Sequence, residues 1–493
     1  MFAVIISLLL GWVMWYILTT YTRLRKMPPG PFPLPLIGNV HQVGSDPPFS
    51  MEKLREKYGE VYTLTFPIGT YVVVNSGALA REVLVTAKDD FASRPGASTF
   101  PSDDVFKGKN IVYSDFGPNY MFRRKIVTSA LHTFGEGLNL AEARVNNEVQ
   151  ELLDRIERTD GRPFCVREQL SATMINVIAE WLFSNRYDID DPVFKLFSDL
   201  DDKMMVLFQQ GSYYQVLPFL KYLPNNSIAK HLEDVLKIRD DFLLSELKEH
   251  RATYQEGIIR DITDALLASF EKEKAKNPDK DIGTYEDIKY LIIDIIIGAT
   301  GTVTSTLSWL IVFMILHEDI QSEVQQELDR VVGRGRLPCW KDVENLHYLS
   351  AVIAETMRRS VFMPFSPRRA IRDSTIQGYH IPKDTGILLN VWRIHFNPKD
   401  WEQPALFKPE RFLDDDGKFV GWTSLPSFFP FGAGRRVCLG QTLGKMDTFA
   451  AASRLLHQFR FGAPAGEAKP TAEGETGLIR FPKNCRVSAS LRV

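Results

Sequence analysis

Phe431-Gly432-Ala433-Gly434-Arg435-Arg436-Val437-Cys438-Leu439-Gly440 decides how this 493-residue chain is read. One thiol stands among three glycines and two arginines. Glycines let the main chain turn tightly around a sulfur, and guanidiniums are suited to carboxylates. The pattern suits a cysteine that offers a thiolate to a haem iron, with cations nearby to hold the haem carboxylates. A thiolate axial ligand pushes electron density onto iron and favours O–O cleavage. The competing readings are a dinucleotide-binding loop, which lacks its third glycine because Val437 stands there, and a buried structural cysteine.

The rest of the composition excludes several classes. The other cysteines, Cys165, Cys339 and Cys485, lie far apart with no C-x-x-C pair, which disfavours a zinc site or a disulfide framework. Basic and acidic residues number 59 and 61, so there is no overall basic field for nucleic acid. With 44% hydrophobic and 24% charged residues, the chain can bury a large core.

Upstream, Phe2 to Tyr21 is almost wholly apolar, and about 20 such residues span a bilayer core. Trp12, Trp15, Tyr16 and Tyr21 suit the interface belt. Arg23, Arg25 and Lys26 follow at once, with no Lys or Arg before the run, which places the remainder in the cytosol. A cleaved signal peptide would want charges before the run and a small-x-small site after it, and has neither. Residues 1–22 therefore read as a transmembrane anchor, 23–36 as a basic, Pro-rich hinge, and 37–493 as one catalytic domain. Five prolines between Met27 and Pro35 stiffen the hinge into a semi-rigid spacer. The sequon Asn225-Asn226-Ser227 is expected to stay unmodified in the cytosol.

Within the domain, Glu60 to Asn75 reads as a hairpin. Helical periodicity is clearest over Val145–Arg155, Ala229–Glu249, Glu286–His317, Asp319–Val332 and Gln441–Phe459. Strand-like pieces return at Ser374–Leu389 and near the C-terminus, and Glu271–Lys280 reads as a charged loop. Tyr290–Leu316 is apolar enough for a second membrane helix, but Asp294 inside it argues for a buried core helix. The cluster Gly298-Ala299-Thr300-Gly301-Thr302 costs helix stability and permits a local break beside a flat ligand. Its other reading is a packing contact. The expected fold class is mainly α with a small β part.

At this point the chain resembles the cytochrome P450 family of haem-thiolate monooxygenases, over essentially its whole length. Four motifs match in the family's order. The Cys loop implies Cys438 as axial ligand of haem b, with the haem between the long central helix and this loop. Glu355-Thr356-Met357-Arg358 and Pro409-Glu410-Arg411-Phe412 imply a charged network of Glu355, Arg358 and Arg411 that supports the loop. In Gly298–Thr302, Thr302 is implied on the oxygen side as a catalytic residue that helps pass protons. The acid the family carries before it is replaced by Gly301. Asp294 lies two turns earlier, about 12 Å away by helix rise, too far to substitute directly. In Tyr120-Met121-Phe122-Arg123-Arg124, Tyr120 replaces the family's Trp as a propionate donor. Arg124 and Arg436 match propionate-binding arginines, as do Arg94 and Arg368.

The resemblance leans to the microsomal animal branch of steroid and aryl-hydrocarbon hydroxylases. It implies an O₂-dependent hydroxylase of a lipophilic steroid-like, aromatic or fatty molecule. Electrons would come from NADPH through a flavoprotein reductase, with cytochrome b5 a further partner, at the endoplasmic reticulum membrane. The expected pocket contains Phe106, Asp294, Ile297, Ala299, Phe365 and Leu478 besides Thr302. Arg123, Lys125, Arg435 and Lys445 would form a basic docking patch on the Cys side. Gly301 keeps open a haem-thiolate isomerase, dehydratase or peroxide-using enzyme. A non-enzymatic haem-based binder or sensor is the other alternative.

Overall fold

The computed structural model describes every residue except 1, 45–46, 97–98, 136–137, 217–219, 221–222, 224–225, 277–282, 476 and 493. Asn225 of the sequon, and part of the loop expected at 271–280, thus lie outside the described residues.

Two helices are long and apolar enough to cross a membrane, and burial separates them: 6% of the N-terminal span is buried against 72% of the second. The first, Phe2–Leu24, presents its apolar side chains outward. The second, Ile288–Leu316, is apolar on all sides because it runs through the middle of the core. Around it pack Val166–Phe183, Leu138–Glu157, His347–Ser360 and Gln441–Gln458 in one continuous apolar cluster. The local break that Gly298–Gly301 permits does not occur, and the helix is unbroken. The hydroxyls of Thr300, Thr302 and Thr306 each donate to the carbonyl four residues back.

The β part is small. Val61–Phe66 and Gly69–Val74 form the expected hairpin; the second strand runs parallel to Gly386–Asn390, which pairs antiparallel with Phe365–Arg369. A second sheet places Arg486–Leu491 between Phe164–Cys165 and Phe459–Gly462. It brings Cys165 and Cys485 together, their sulfurs 2.6 Å apart across 320 residues, a proximity that sequence spacing alone argued against. Glu271 to Lys276 is helix, not loop, because it extends the apolar-faced helix Ile262–Lys276.

The Pro-rich segment is also more than a spacer. Thr63 donates its amide to Pro29 and its hydroxyl to Pro28, both at 2.8 Å. Met27 is buried beside Val61 and Val72. A Cβ at Gly30 would stand 2.0 Å from the Thr63 carbonyl oxygen, so only glycine lets the two chains lie this close. Tyr16 of the first helix donates to Pro33 at 3.0 Å.

Candidate active site

The Cys loop is built on two left-handed glycines, Gly432 and Gly434, at φ 67° and 69°. At Gly434 a Cβ would meet the Leu84 carbonyl oxygen at 1.8 Å, so the position accepts no side chain. The amide of Cys438 donates to the Phe431 carbonyl at 2.9 Å and closes the loop, and Gln441–Gln458 starts just beyond. Cys438 is exposed by area. Desolvation by the surrounding protein nonetheless raises its thiol, while the Gly440 amide, Arg124 and Lys445 pull it down. Both hold together if the sulfur faces a space enclosed by the fold.

Four guanidiniums gather beside this loop. Arg436 donates to the carbonyls of Ala92, Ile111 and Ser114 at 2.6, 2.9 and 2.7 Å. Arg368 is 2% exposed and donates to Ser366 and to its neighbour Pro367. Arg94 reaches the same Pro367 carbonyl at 2.6 Å, and its buried Nε has no partner among the described residues. Arg124 donates to the Tyr120 hydroxyl at 3.2 Å and to the Val437 carbonyl at 3.1 Å. Among the described residues none of the four forms an ion pair with a carboxylate. Burial first, and then the charges of Arg94 and Arg436, hold Arg368 well below its usual range; burial pulls Arg436 down to about 10. Like charges buried together without acids call for an anion. A haem with its two carboxylates fits both this cation set and the neighbouring Cys438 thiol.

Tyr120 serves the loop differently from the expectation. Its hydroxyl donates to the Arg435 carbonyl at 3.1 Å, and its ring lies 3.8 Å from the Arg436 guanidinium. Its proton braces the loop's main chain. The support network is assembled: Arg358 grips Glu355 with two bonds of 2.7 and 2.8 Å, both side chains fully buried. Arg358 also donates to the carbonyls of His395, Pro404 and Leu406, and Arg411 lies 3.6 Å from Glu355.

On the central helix, Ile295, Gly298, Ala299 and Thr302 escape full burial while most of their neighbours are buried. Their spacing of i, i+3, i+4 and i+7 puts them on one face. Gly298 is exposed, and nothing lies within 4 Å of a Cβ built there, so this face opens on free space. Thr302 donates its proton to Gly298 at 2.8 Å, leaving its oxygen free to accept.

The expected pocket residues divide. Ile297, Ala299, Phe365 and Leu478 are half-buried. Phe106 is 1% exposed and stacks at 5.9 Å on Tyr113, which stacks at 4.5 Å on Phe208; it is a core wall, not an open contact. Asp294 is also corrected. Its carboxyl accepts from the Asn110 side chain at 3.1 Å and from the Ile111 and Val112 amides at 2.5 and 3.2 Å. Those buried donors need an acceptor, so Asp294 clamps the 110–112 segment and does not face a substrate.

Burial raises Asp294 to about 6, against the three donors that favour its charged form. Because the folded value lies above the unfolded one, this group favours folding fully below about pH 4. That contribution is lost as pH rises through about 6. Asp294→Asn is therefore expected to flatten the decline in thermal stability between pH 4 and 7, and to speed hydrogen exchange of the Ile111 and Val112 amides about tenfold. Melting curves across that range and amide exchange check both.

The basic patch is only partly realised. Lys125 is paired with Glu273 at 2.7 Å, Arg435 with Asp89 at 2.6 Å, and Arg123 turns to the Gly108 carbonyl at 2.7 Å. Lys445 lies over the rings of Phe431 and Trp422. A surface depression of about 690 Å³ lies beside the loop, lined by Tyr120, Arg124, Lys125, His132, Gly434 and Arg435 among others. One carboxyl near the central helix was not singled out by the sequence reading. Asp201 stands beside Gly301, yet in Asp199-Leu200-Asp201-Asp202 it reads as part of a solvated acidic run.

The family profile described as Cytochrome P450 matches residues 28–489. A steroid 17-alpha-hydroxylase/17,20 lyase of Squalus acanthias is 32% identical over 486 residues, covering 96% of this chain and 94% of the relative. Cytochrome P450 2D20 of Mesocricetus auratus is 34% identical over 480 residues, covering 95% and 93%. Among solved structures, a zebra fish cytochrome P450 with progesterone superposes with TM-score 0.80 at 30% identity, covering 90% of this chain and 99% of that one.

Proposed function

Because this chain belongs to the cytochrome P450 family, and is thereby a haem-thiolate monooxygenase drawing electrons from NADPH through a reductase, we propose that it hydroxylates a lipophilic steroid-like molecule. The observation that carries the site is the Cys438 loop beside four guanidiniums that, among the described residues, pair with no acid. When bound there, haem supplies the activation of dioxygen.

The chain's own residues do the rest. Cys438 holds the iron, and the Gly440 amide steadies its sulfur. Arg94, Arg124, Arg368 and Arg436 neutralise the carboxylates. Glu355, Arg358 and Arg411 keep the loop in place from behind. The face of Ile295, Gly298 and Ala299 seats the substrate and excludes water. Thr302 holds a proton at Oγ1 and accepts another. The exposed apolar helix Phe2–Leu24 anchors the chain as a single pass in the endoplasmic reticulum membrane with the catalytic domain in the cytosol. The depression lined by Lys125 and Arg435 receives the reductase, and cytochrome b5 as a second donor.

The test supplies the purified protein with reductase, NADPH and a panel of steroids headed by progesterone. The expected result is a hydroxylated steroid whose formation stops without NADPH. Turnover with an organic peroxide alone, indifferent to NADPH, would replace this reading with the peroxide-using one that Gly301 invites.

A further inference from the structure

Gly301 precedes Thr302 on the central helix, where an acid was expected and none stands. A carboxyl nevertheless reaches that place from another helix. A Cβ built at 301 would lie 3.8 Å from Oδ2 and 4.0 Å from Oδ1 of Asp201, which belongs to Pro192–Val216. By ordinary bond lengths, a glutamate at 301 would carry its carboxyl oxygens roughly 3–3.7 Å from its own Cβ. Asp201 thus offers its oxygens at about the reach a residue on the central helix would have. The two positions are complementary: an acid at 301 would set two carboxyls against each other, and any Cβ would press Ile479 Cδ1 at 3.1 Å.

Asp201 is suited to carry a proton. Its Oδ1 is sealed from solvent and accepts no hydrogen bond among the described residues. Although the residue as a whole is half-buried, a sealed oxygen without a donor disfavours the charged form, so the acid form is preferred. Burial, helped by the neighbouring Asp202, raises it to about 7, with Arg167 opposing. Asp202, the next residue in the chain, is exposed, and its carboxyl is also raised by partial burial. Arg167, at the start of Val166–Phe183, is shared with the exposed Glu475 at 3.3 Å. From Ser227–Lys237, Asp234 is held by Lys203 at 3.1 Å. Around Gly301 itself, the atoms closest to a built Cβ are Ile479 Cδ1 and the two Asp201 carboxyl oxygens.

We propose that Asp201 supplies, across the gap between the two helices, the carboxyl that the central helix lacks at Gly301, and that it passes protons inward toward Thr302. This rests on the monooxygenase reading above. In each transfer one proton leaves the Asp201 carboxyl for the hydroxyl or water beside Thr302. The carboxylate left behind regains one from solvent by way of Asp202. No electron moves in the relay; the electrons come from NADPH through the reductase.

The test uses the full-length, haem-loaded protein with reductase, NADPH and progesterone as probe. Asp201→Asn should release at least threefold more hydrogen peroxide per NADPH consumed, while the dissociation constant from the progesterone-induced spectral shift stays within twofold. The double variant D201N/G301E, which moves the carboxyl onto the central helix, should bring the peroxide ratio back toward the parent. A readout independent of turnover comes from melting. Asp201 has its folded value above its unfolded one, so its ionisation costs stability as pH rises from about 4 through 7. The melting advantage of Asp201→Asn should therefore grow by several degrees over that range. An unchanged peroxide ratio overturns the proposal, and so does weakened progesterone binding with unchanged coupling, which would make Asp201 a substrate anchor. The thiolate-type band of the reduced, CO-bound variants confirms their fold, and Asp201→Ser is a second carboxyl-free variant should Asp201→Asn load poorly. Absence of that band in the parent would instead overturn the monooxygenase reading.

Discussion

Cys438→Ser is expected to abolish the thiolate-type absorption band of the reduced, CO-bound protein and to bring NADPH-dependent turnover below detection. A serine hydroxyl has almost the size of the thiol but stays protonated where a thiol can ionise, so it cannot give iron the soft anionic ligand that drives O–O cleavage. The loop should survive the exchange. Its geometry comes from Gly432, Gly434 and the Cys438 amide donating to Phe431 at 2.9 Å, none of which involves the sulfur. The variant should therefore fold, and with Arg94, Arg124, Arg368 and Arg436 unchanged it should still take up haem to a measurable extent. Spectra of the parent and variant side by side, at matched protein and haem concentration, check this. A normal thiolate band in the variant would remove Cys438 from the site.

The second large effect belongs to Glu355. Its carboxylate is fully buried, gripped twice by the equally buried Arg358, and accepts the Lys408 amide at 2.9 Å. Glu355→Ala leaves a guanidinium in the core without its counter-charge, a change that costs about 3–5 kcal/mol in buried pairs. Arg358 would keep only its carbonyl acceptors at His395, Pro404 and Leu406. Because these lie in the chain that leads to Arg411 and on to the Cys loop, lost stability is expected to appear together with lost haem. The predicted outcome is a melting temperature lower by several degrees and a haem-to-protein ratio reduced severalfold. Replacing both Glu355 and Arg358 with apolar residues of similar volume should recover stability better than either single change. Calorimetry and haem content across the three variants decide it. Equal haem loading in Glu355→Ala would show that the network stabilises the fold without positioning the loop.

How much of this was legible in the sequence depended on how local each signal is. The Cys loop, and the Glu355 and Arg358 pair three residues apart on one helix, carry their geometry in their spacing. Both are found where the pattern put them. The central helix was separable from a membrane span because Asp294 lies inside it. Direction was harder. Asp294 sits on the right helix, but only the fold reveals that three donors from residues 110–112 converge on it. Phe106 is apolar and near the site, yet Tyr113 and Phe208 enclose it. Tyr120 has the donor expected of it, aimed at a carbonyl 315 residues away. Asp201 lay beyond sequence reasoning because its meaning depends on a glycine 100 positions later.

The stitching of Pro28 and Pro29 to Thr63, with Gly30 pressed against the same strand, fixes where the catalytic unit begins. A shortened, detergent-free version of this protein has to be cut ahead of Met27, since removing the prolines would strip a strip of buried surface from the hairpin and not just a tether. In the intact chain the same stitching, with Tyr16 donating to Pro33 at 3.0 Å, ties the first helix to the hairpin through the chain's own folding.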